Sequence, residues 1–222
     1  MNDPATDNGT FGERGAREQL IEAASQIMRD GDTVDISLSE LSLRSGLNSA
    51  LVKYYFGNKQ GLMLALLERD MRNIVNSLDA LIAKDFPPDE KLRVHIRAVI
   101  GTYFRFPYLN RLLMRMVRDA SPETARKIAD DYLLPISHAY TRLIEEGVTK
   151  GVFRPVDPQL FYFTVTGAAD RFFSAKLVLY HCYDQSEVTE KMRDDYADHT
   201  LDIIMSGLLI SPDQGNDIRV TT

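Results

Sequence analysis

The side chains best suited to contact nucleic acid lie between residues 37 and 59. In that segment Val52 and Phe56 are four residues apart, which predicts the buried side of a short helix. The positions on the opposite side are Ser49, Ala50, Lys53 and Tyr54. Hydroxyl, ammonium and phenol groups can form hydrogen bonds with base edges in the major groove of DNA. The pattern therefore predicts a helix whose four outward side chains meet the bases.

A second candidate position is Lys59, which follows the helix-breaking pair Gly57 and Asn58. The next helix begins there, so its unpaired N–H groups, the positive end of its dipole and the lysine ammonium coincide. Anions bind at such helix ends because all three features favour negative charge. The arrangement predicts a phosphate-binding position next to the short helix.

Two helices joined by a tight turn must position these groups. Ser37 and Glu40 have the spacing of a capping box, which predicts that a helix begins at Ser37. Gly46 supplies the backbone freedom that the end of a helix requires, and Asn48 can cap the helix that follows. The segment 17–29 carries apolar residues at helical spacing and predicts a third helix packed on this pair. The sequence thus predicts a helix-turn-helix within a small three-helix core.

The order of these features resembles the TetR family of transcriptional regulators. The features are a capping Ser, the turn SGLN, a short helix ending in YYF, and GNKQGL leading into a long helix, and the resemblance covers residues 17–70. One position departs from the family pattern. Lys53 follows Val52 where the family usually has Tyr, so an ammonium replaces a phenol. The operator preference of known members therefore does not transfer to this chain.

The resemblance implies a homodimer that binds double-stranded DNA. The short helices of two copies would enter successive major grooves of a palindromic operator, and the bound protein would block polymerase and so repress transcription. The family pattern places Ser39, Tyr55 and Lys59 on phosphates, and Ser49, Ala50, Lys53 and Tyr54 on bases. It also implies release by a small-molecule effector that shifts the long helix after Lys59. By linkage, DNA and effector then weaken each other's binding by the same factor.

Helical patterns continue through the rest of the chain. One long helix over 59–84 should join both domains, and further helices are predicted over 89–107, 108–118 and 121–150, the last kinked at Pro135. The final two helices carry apolar seams with steps of three and four residues. The seam positions are Phe161, Val165, Ala168, Phe172, Ala175 and Leu179, then Val188, Met192, Tyr196, His199 and Ile203. Such seams predict a four-helix interface with a second copy.

These patterns predict an all-α protein. An N-terminal three-helix helix-turn-helix DNA-binding domain would be followed by a C-terminal helical ligand-binding and dimerisation domain. The predicted boundaries are 1–11 for a disordered arm, 12–60 for the DNA-binding domain, 61–210 for the effector-binding and dimerisation domain, and 211–222 for a flexible tail.

Side chains between residues 89 and 183 are candidates for an effector pocket, because such pockets combine apolar walls with a few polar anchors. The candidates are Tyr103, Phe104, Met114, Arg118, His138, Arg142, Phe163, Gly167 and Arg171. The aromatic and arginine content favours a hydrophobic effector with one acidic or polar group. The alternative interpretation is that the aromatic and Met side chains form the core while the arginines pair with nearby acids.

The composition excludes several classes of protein. A net charge of −6 argues against indiscriminate nucleic-acid binding, so affinity for DNA must depend on where the basic groups lie. The single cysteine, Cys182, excludes an internal disulfide and fits a reducing compartment. The longest apolar stretch, 161–183, contains Asp170, Arg171 and Lys176, which predicts no membrane span. With no signal peptide after Met1, a cytoplasmic location is expected.

No metal site, cofactor or catalytic activity is predicted. His181 and Cys182 are adjacent, and neighbouring helical side chains point about 100° apart, which disfavours their ligation of one ion. No nucleophile elbow, phosphate-cradling glycine loop or paired-carboxylate spacing supports an enzyme. The acidic net charge leaves one rival class open, a helical dimeric adaptor that uses the same hairpin on a protein partner.

Overall fold

The computed structural model describes the backbone of residues 8–210 and the side chains of residues 15–210. This part of the chain is helical and contains no β-strand, which confirms the all-α prediction. The helices are α1 (Asn8–Asp30), α2 (Leu38–Ser45), α3 (Ala50–Phe56), α4 (Lys59–Ile82), α5 (Pro88–Arg105), α6 (Leu109–Asp119), α7 (Pro122–Ile128), α8 (Leu134–Thr149), α9 (Pro158–Phe173), α10 (Lys176–Tyr183) and α11 (Glu190–Leu208), with a π-helical segment at Ala129–Leu133.

The chain forms two compact units whose boundaries differ from the predicted domains. Of the residues that the structure describes, unit 1 takes those up to Arg72 together with Phe106–Ala125, and unit 2 takes the remainder. The predicted boundary at 60/61 therefore falls inside unit 1, and α6, predicted to belong to the effector domain 61–210, lies with the helix-turn-helix instead. Because α1 begins at Asn8, residues 8–11 of the predicted arm are helical. Residues 1–7 and the predicted tail 211–222 lie outside the described residues.

Unit 1 has a core built from α1, α2, α3, α4 and α6. The apolar positions predicted for the first helix are buried, as are positions from the helices around it: Leu20, Ala24, Ile27, Met28, Leu41, Val52, Leu62, Leu66, Leu112 and Met116. A three-helix core of this size is marginal by itself, because a small domain buries only part of its apolar surface. Within unit 1 the apolar sides of α4 and α6 enlarge that core.

The polar side of α6 holds the loop that leads into α2. The Arg111 guanidinium donates hydrogen bonds to the Asp32 carbonyl oxygen at 3.0 Å and to the Asp32 carboxylate. Arg115 donates to the Val34 carbonyl oxygen at 3.0 Å. Asp32 has a φ of 49°, a left-handed conformation that is uncommon for a residue with a side chain. Two arginines of one helix thus secure the loop from which α2 begins.

A polar chain runs through the interior of unit 1. The Tyr108 hydroxyl donates to the buried Asp70 carboxylate at 2.9 Å and lies 2.7 Å from the Ser25 hydroxyl. Arg69 donates to the same carboxylate at 2.9 Å. Burial raises the pKa of Asp70, while the Arg69 charge and the Tyr108 hydrogen bond lower it. The network links α1, α4 and the N-cap residue of α6 inside the unit.

Replacing Tyr108 by Phe is expected to lower the free energy of unfolding by about 1–3 kcal/mol, because the buried Asp70 carboxylate loses a hydrogen-bond donor. Chemical denaturation followed by circular dichroism measures the change. Tyr180→Phe is the matched control, since that ring is exposed and should change stability by less than about 0.5 kcal/mol. Equal stability of Tyr108→Phe and the parent would mean that the hydroxyl contributes nothing.

Unit 2 is a bundle in which α5 packs on α8, α9 and α11. Its core side chains include Ile96, Ile100, Leu143, Ile144, Val165, Phe173 and Leu201. Just before Pro135, where the sequence predicts a kink, the structure has a π-helical turn in which the Leu134 N–H donates to the Ala129 carbonyl oxygen five residues earlier. Proline has no N–H with which to continue the regular ladder, so the wider turn just before it accommodates the missing donor.

The first of the two predicted seam helices, which carries Phe161 to Leu179, is two helices in the structure. α9 ends at Phe173, and Ala175 has non-helical torsions of φ −97° and ψ 30° before α10 begins. The break contains no glycine or proline, so the sequence pattern did not indicate it. Two positions of the predicted seam, Phe161 and Val165, are buried in the core of unit 2. The side of α9 that remains exposed carries Leu160, Phe163, Gly167 and Arg171.

Candidate nucleic-acid interface and effector site

The turn between α2 and α3 is built from the capping residues that the sequence predicted. The Ser37 hydroxyl accepts from the Glu40 N–H at 3.0 Å, so α2 begins as expected. Gly46 ends the helix with a φ of 70°, a conformation that glycine adopts without strain. The Asn48 side-chain oxygen accepts from the Ala50 N–H at 2.8 Å and caps α3. These bonds fix the direction in which α3 leaves the turn.

α3 rests on Val52 and presents the opposite side to solvent. Val52 is buried, whereas Ala50 and Lys53 are exposed and the Tyr54 side chain is 67% exposed. Ser49, predicted to face outward, is half-buried at the start of the helix. The Lys53 ammonium has no ion-pair partner within residues 15–210, so its charge is available to a ligand. The outer face of α3 thus carries one free cation beside an exposed phenol.

The remaining predicted DNA contacts lie around this face. The Ser39 side chain is exposed and its hydroxyl lies 3.0 Å from that of Ser37. Tyr55 is half-buried, with its ring in edge-to-face contact with Tyr54 at a centroid distance of 4.9 Å. The Arg17 guanidinium lies over the Phe56 ring at 5.2 Å, which brings a cation of α1 to the end of α3.

Lys59 begins α4 as the sequence predicted, and its ammonium is bonded to groups of the protein. Its ammonium donates to the Asp35 carboxylate at 3.0 Å and to the Ile36 carbonyl oxygen at 3.1 Å. This hydrogen bond is the main cause of the lowered pKa of Asp35. The Gly61 N–H at the same helix end already donates to the Asn58 side chain at 2.9 Å. A phosphate at this point would have to compete with groups of the protein itself.

The passage from α3 to α4 is unusually tight at Gly61. A Cβ on that residue would lie 2.0 Å from the Phe56 carbonyl oxygen, far inside van der Waals contact. The close atom belongs to the backbone, so no side-chain rotation can relieve the clash. Glycine at this position therefore sets the distance between the end of α3 and the first turn of α4.

Unit 2 contains an open groove with a volume of about 780 Å³. It is lined by residues of α9, α10 and α11 and of the turns before and after α10: Gly167, Ala168, Arg171, Phe172, Ala175, Val178, Leu179, Tyr183, Gln185, Met192 and Tyr196. The Phe172 and Tyr196 rings stack with centroids 4.0 Å apart, and the Tyr196 hydroxyl donates to the Ala168 carbonyl oxygen at 2.8 Å. Stacked rings give the groove a flat apolar wall of fixed position.

Comparison with known proteins identifies the family. Residues 85–215, more than half of the chain, match the family described as "Tetracyclin repressor-like, C-terminal domain". A BetI transcriptional regulator of Stenotrophomonas maltophilia is 30% identical over 143 residues, which are 58% of this chain and 68% of that protein. The chain belongs to the TetR family. The relatives that it matches are transcriptional regulators rather than enzymes.

Other TetR-family proteins agree with this assignment. The regulator BetI 1 of Chromohalobacter salexigens is 33% identical over 100 residues, 45% of this chain, so the chain spans about half (48%) of that relative's length. A Rhodococcus RHA1 regulator has a TM-score of 0.70 at 17% identity, covering 88% of this chain and 98% of its own. FadR of Bacillus subtilis, solved with stearoyl-CoA, has a TM-score of 0.59 at 18% identity, covering 86% and 98%. At these identities the structures establish the shared fold.

The nine residues predicted to bind an effector in this TetR-family chain are divided between the two units. Met114 and Arg118 belong to α6 in unit 1, where Arg118 pairs with Asp119 at 2.8 Å. On α8, His138 is exposed and Arg142 donates to Asp79 at 2.9 Å. The interpretation that these arginines pair with nearby acids is therefore correct for two of them.

Of the predicted set, Gly167 and Arg171 line the groove. Phe163 lies on the exposed side of α9, and the Phe104 ring packs on Phe173 at a centroid distance of 5.8 Å. Most of the other groove residues, such as Phe172, Leu179, Met192 and Tyr196, lie at positions of the predicted dimer seam. Their apolar spacing could have pointed to the groove, because it places these side chains along one side of their helices. The spacing alone could not show that the helices leave a groove between them.

A second polar feature lies inside the bundle of unit 2. The His95 and Tyr140 rings meet edge-to-face with centroids 4.8 Å apart, and both are buried. Within the described residues, His95 Nε2 and the Tyr140 hydroxyl have no hydrogen-bond partner. Burial lowers the pKa of His95 to about 4 and raises the pKa of Tyr140, so both groups are neutral at pH 7.

The described part of this TetR-family chain offers no feature of two other classes of site. None of its helices combines the length and apolar composition that a membrane crossing requires. Across the same residues, no three His, Cys, Asp or Glu side chains come close enough together to hold a metal ion. His181 and Cys182 both lie exposed on α10.

Proposed function

We propose that this chain is a ligand-responsive repressor that binds a palindromic operator as a homodimer. The observation that carries the proposal is the outer face of α3, where Lys53 and Tyr54 stand exposed on a helix whose preceding turn is fixed by the Gly46 cap at its start and the Asn48 cap at its end. Ser49, Ala50, Lys53 and Tyr54 would face the bases, and Ser39, Tyr55 and Lys59 the phosphates. Lys59 would exchange its bond to Asp35 for one to phosphate on binding.

The effector in this proposal is a small, largely hydrophobic molecule bound in unit 2. FadR, a structural neighbour, was solved with stearoyl-CoA, which supports an apolar effector for this chain by analogy only. Both α3 helices of a dimer must fit their grooves at once, so a small change in their spacing weakens binding to DNA. Effector binding would act through α4, since that helix begins at Lys59 directly after α3 and extends into unit 2.

A selection of random DNA duplexes on the purified protein at moderate salt tests the operator directly. Enrichment of a palindrome with two half-sites is expected, and it would supply the operator for release assays with candidate effectors. If a folded dimer enriches nothing above background, the repressor proposal fails. The rival adaptor function would then gain support from the exposed Leu43 on α2, whose side chain is 87% exposed on the same hairpin.

Lys53→Ala is expected to weaken operator binding about ten- to a hundred-fold, because the ammonium of each protomer no longer reaches a base edge or phosphate. The slope of the logarithm of affinity against the logarithm of salt concentration should also become shallower by about one for each phosphate that is no longer neutralised. Fluorescence anisotropy at several salt concentrations measures both. Lys84→Ala, an exposed lysine of unit 2, is the matched control and should leave both unchanged.

A further inference from the structure

The groove of unit 2 contains a single charged side chain. Among its eleven lining residues Arg171 has the only basic side chain, and none is acidic. Arg171 is exposed on α9, and its guanidinium has no ion-pair or hydrogen-bond partner in the described part of the chain. The other two arginine candidates differ, because Arg118 and Arg142 are both paired with acids. Within residues 15–210, no acidic side chain pairs with the positive charge of this groove.

The rest of the groove is suited to an apolar body. The stacked Phe172 and Tyr196 rings form one wall, and Leu179 and Met192 add aliphatic and thioether surface. Gly167 leaves open space, since a Cβ built on it would meet no atom within 4 Å. A volume of about 780 Å³ lies within the range of about 300–1,000 Å³ that is typical of small-molecule sites.

We propose that the groove binds an amphipathic carboxylate, with the acid group on Arg171 and the apolar body along the Phe172–Tyr196 wall. A guanidinium matches a carboxylate geometrically and forms two parallel charge-assisted hydrogen bonds with it. A neutral alcohol of the same length would gain the apolar contacts but not the charge. The inference rests on the proposed function in that the carboxylate would be the effector, and it names that effector's chemical class.

Two pairs of probes test the proposal without DNA, so that its failure is distinct from failure of the operator selection. The pairs are monomeric laurate with 1-dodecanol, and deoxycholate with the methyl ester of deoxycholate, which differ in the charge of one group. Isothermal titration calorimetry of the full chain should show at least one acid binding about ten-fold or more tightly than its neutral partner. If neither acid binds more tightly than its neutral counterpart, the proposal is wrong.

Three variants locate the site. Arg171→Gln should remove the preference for the acid, and Arg171→Lys should keep most of it, because the charge remains. Gly167→Leu should weaken binding of acid and neutral probe alike, because the added side chain occupies open space in the groove. Arg126→Gln, which changes an exposed arginine of unit 2 outside the groove, is the control and should behave as the parent does. Thermal melting of each variant shows that it is folded.

A second copy of the chain is the competing occupant of this groove. Sedimentation of the parent and Arg171→Gln decides between the two occupants. Unchanged association of Arg171→Gln, together with loss of the acid preference, is the expected result. If the substitution instead alters self-association and leaves the affinity for laurate and deoxycholate as it was, Arg171 belongs to a subunit interface and the proposal is overturned.

Discussion

Gly61→Ala is expected to reduce operator binding by about a hundred-fold while unit 2 remains folded. The added Cβ would lie 2.0 Å from the Phe56 carbonyl oxygen, so the end of α3 must move away from α4. Overpacking of this kind costs about 1–3 kcal/mol, and displaced Lys53 and Tyr54 would forfeit hydrogen bonds to bases worth about 1–3 kcal/mol each. The affinity falls because α3 is displaced, since the substitution removes no group that contacts the DNA.

Fluorescence anisotropy with the selected operator measures the affinity, and circular dichroism measures the unfolding of the same samples. Gly101→Ala is the matched control, because that glycine lies in α5 and a Cβ there would meet nothing within 4 Å. It should bind the operator as the parent does and be slightly more stable. Parent-like affinity of Gly61→Ala would show that the spacing of α3 and α4 does not matter for DNA binding.

Mild acid is expected to lower the free energy of unfolding because of the buried His95. Its pKa is lowered to about 4 by burial, from a usual value near 6.5 in the unfolded chain. As the pH falls from about 6.5 to 4, His95 therefore becomes protonated in the unfolded chain but stays neutral in the folded protein. The free energy of unfolding should drop by about 3 kcal/mol over that interval and be unaffected by His95 above it.

Urea denaturation of the parent and His95→Phe at pH 7, 6, 5 and 4 measures this contribution by difference, which removes the titration of carboxylates that the two proteins share. The variant keeps an aromatic ring against Tyr140 but has no proton to gain. His181→Gln, which changes an exposed histidine, should follow the parent curve. Parallel curves for His95→Phe and the parent would mean that His95 is protonated in the folded protein or reaches solvent.

The sequence was most informative where the controlling forces are local. The caps at Ser37 and Gly46 depend on side chains within a few residues, and so does the apolar side of α1. The structure has these caps and this buried side at the residues that the pattern predicted. The turn chemistry and its order also supported the family, which the comparisons establish. Hydrogen bonds between near neighbours constrain the backbone in the same way in almost any surrounding fold.

The sequence was least informative about α9. Leu160, Phe161, Phe163 and Val165 place apolar groups on more than one side of this helix, so periodicity alone could not select the buried face. The structure buries Phe161 and Val165 and leaves Leu160 and Phe163 exposed. Packing against α5 and α8 made that choice, and the break after Phe173 then set α10 at one side of the groove.

The sequence by itself determined the helix-turn-helix, the family and the all-α class of this protein, because caps, turns and amphipathic spacing act over a few residues. Only the tertiary structure decided that Lys59 is bonded to Asp35, that α6 secures the loop before α2, and that Arg171 stands alone in an apolar groove. Each of these depends on groups far apart in the chain. The packing of whole helices decides which basic side chain pairs with which acid, so a local sequence pattern cannot predict the pair.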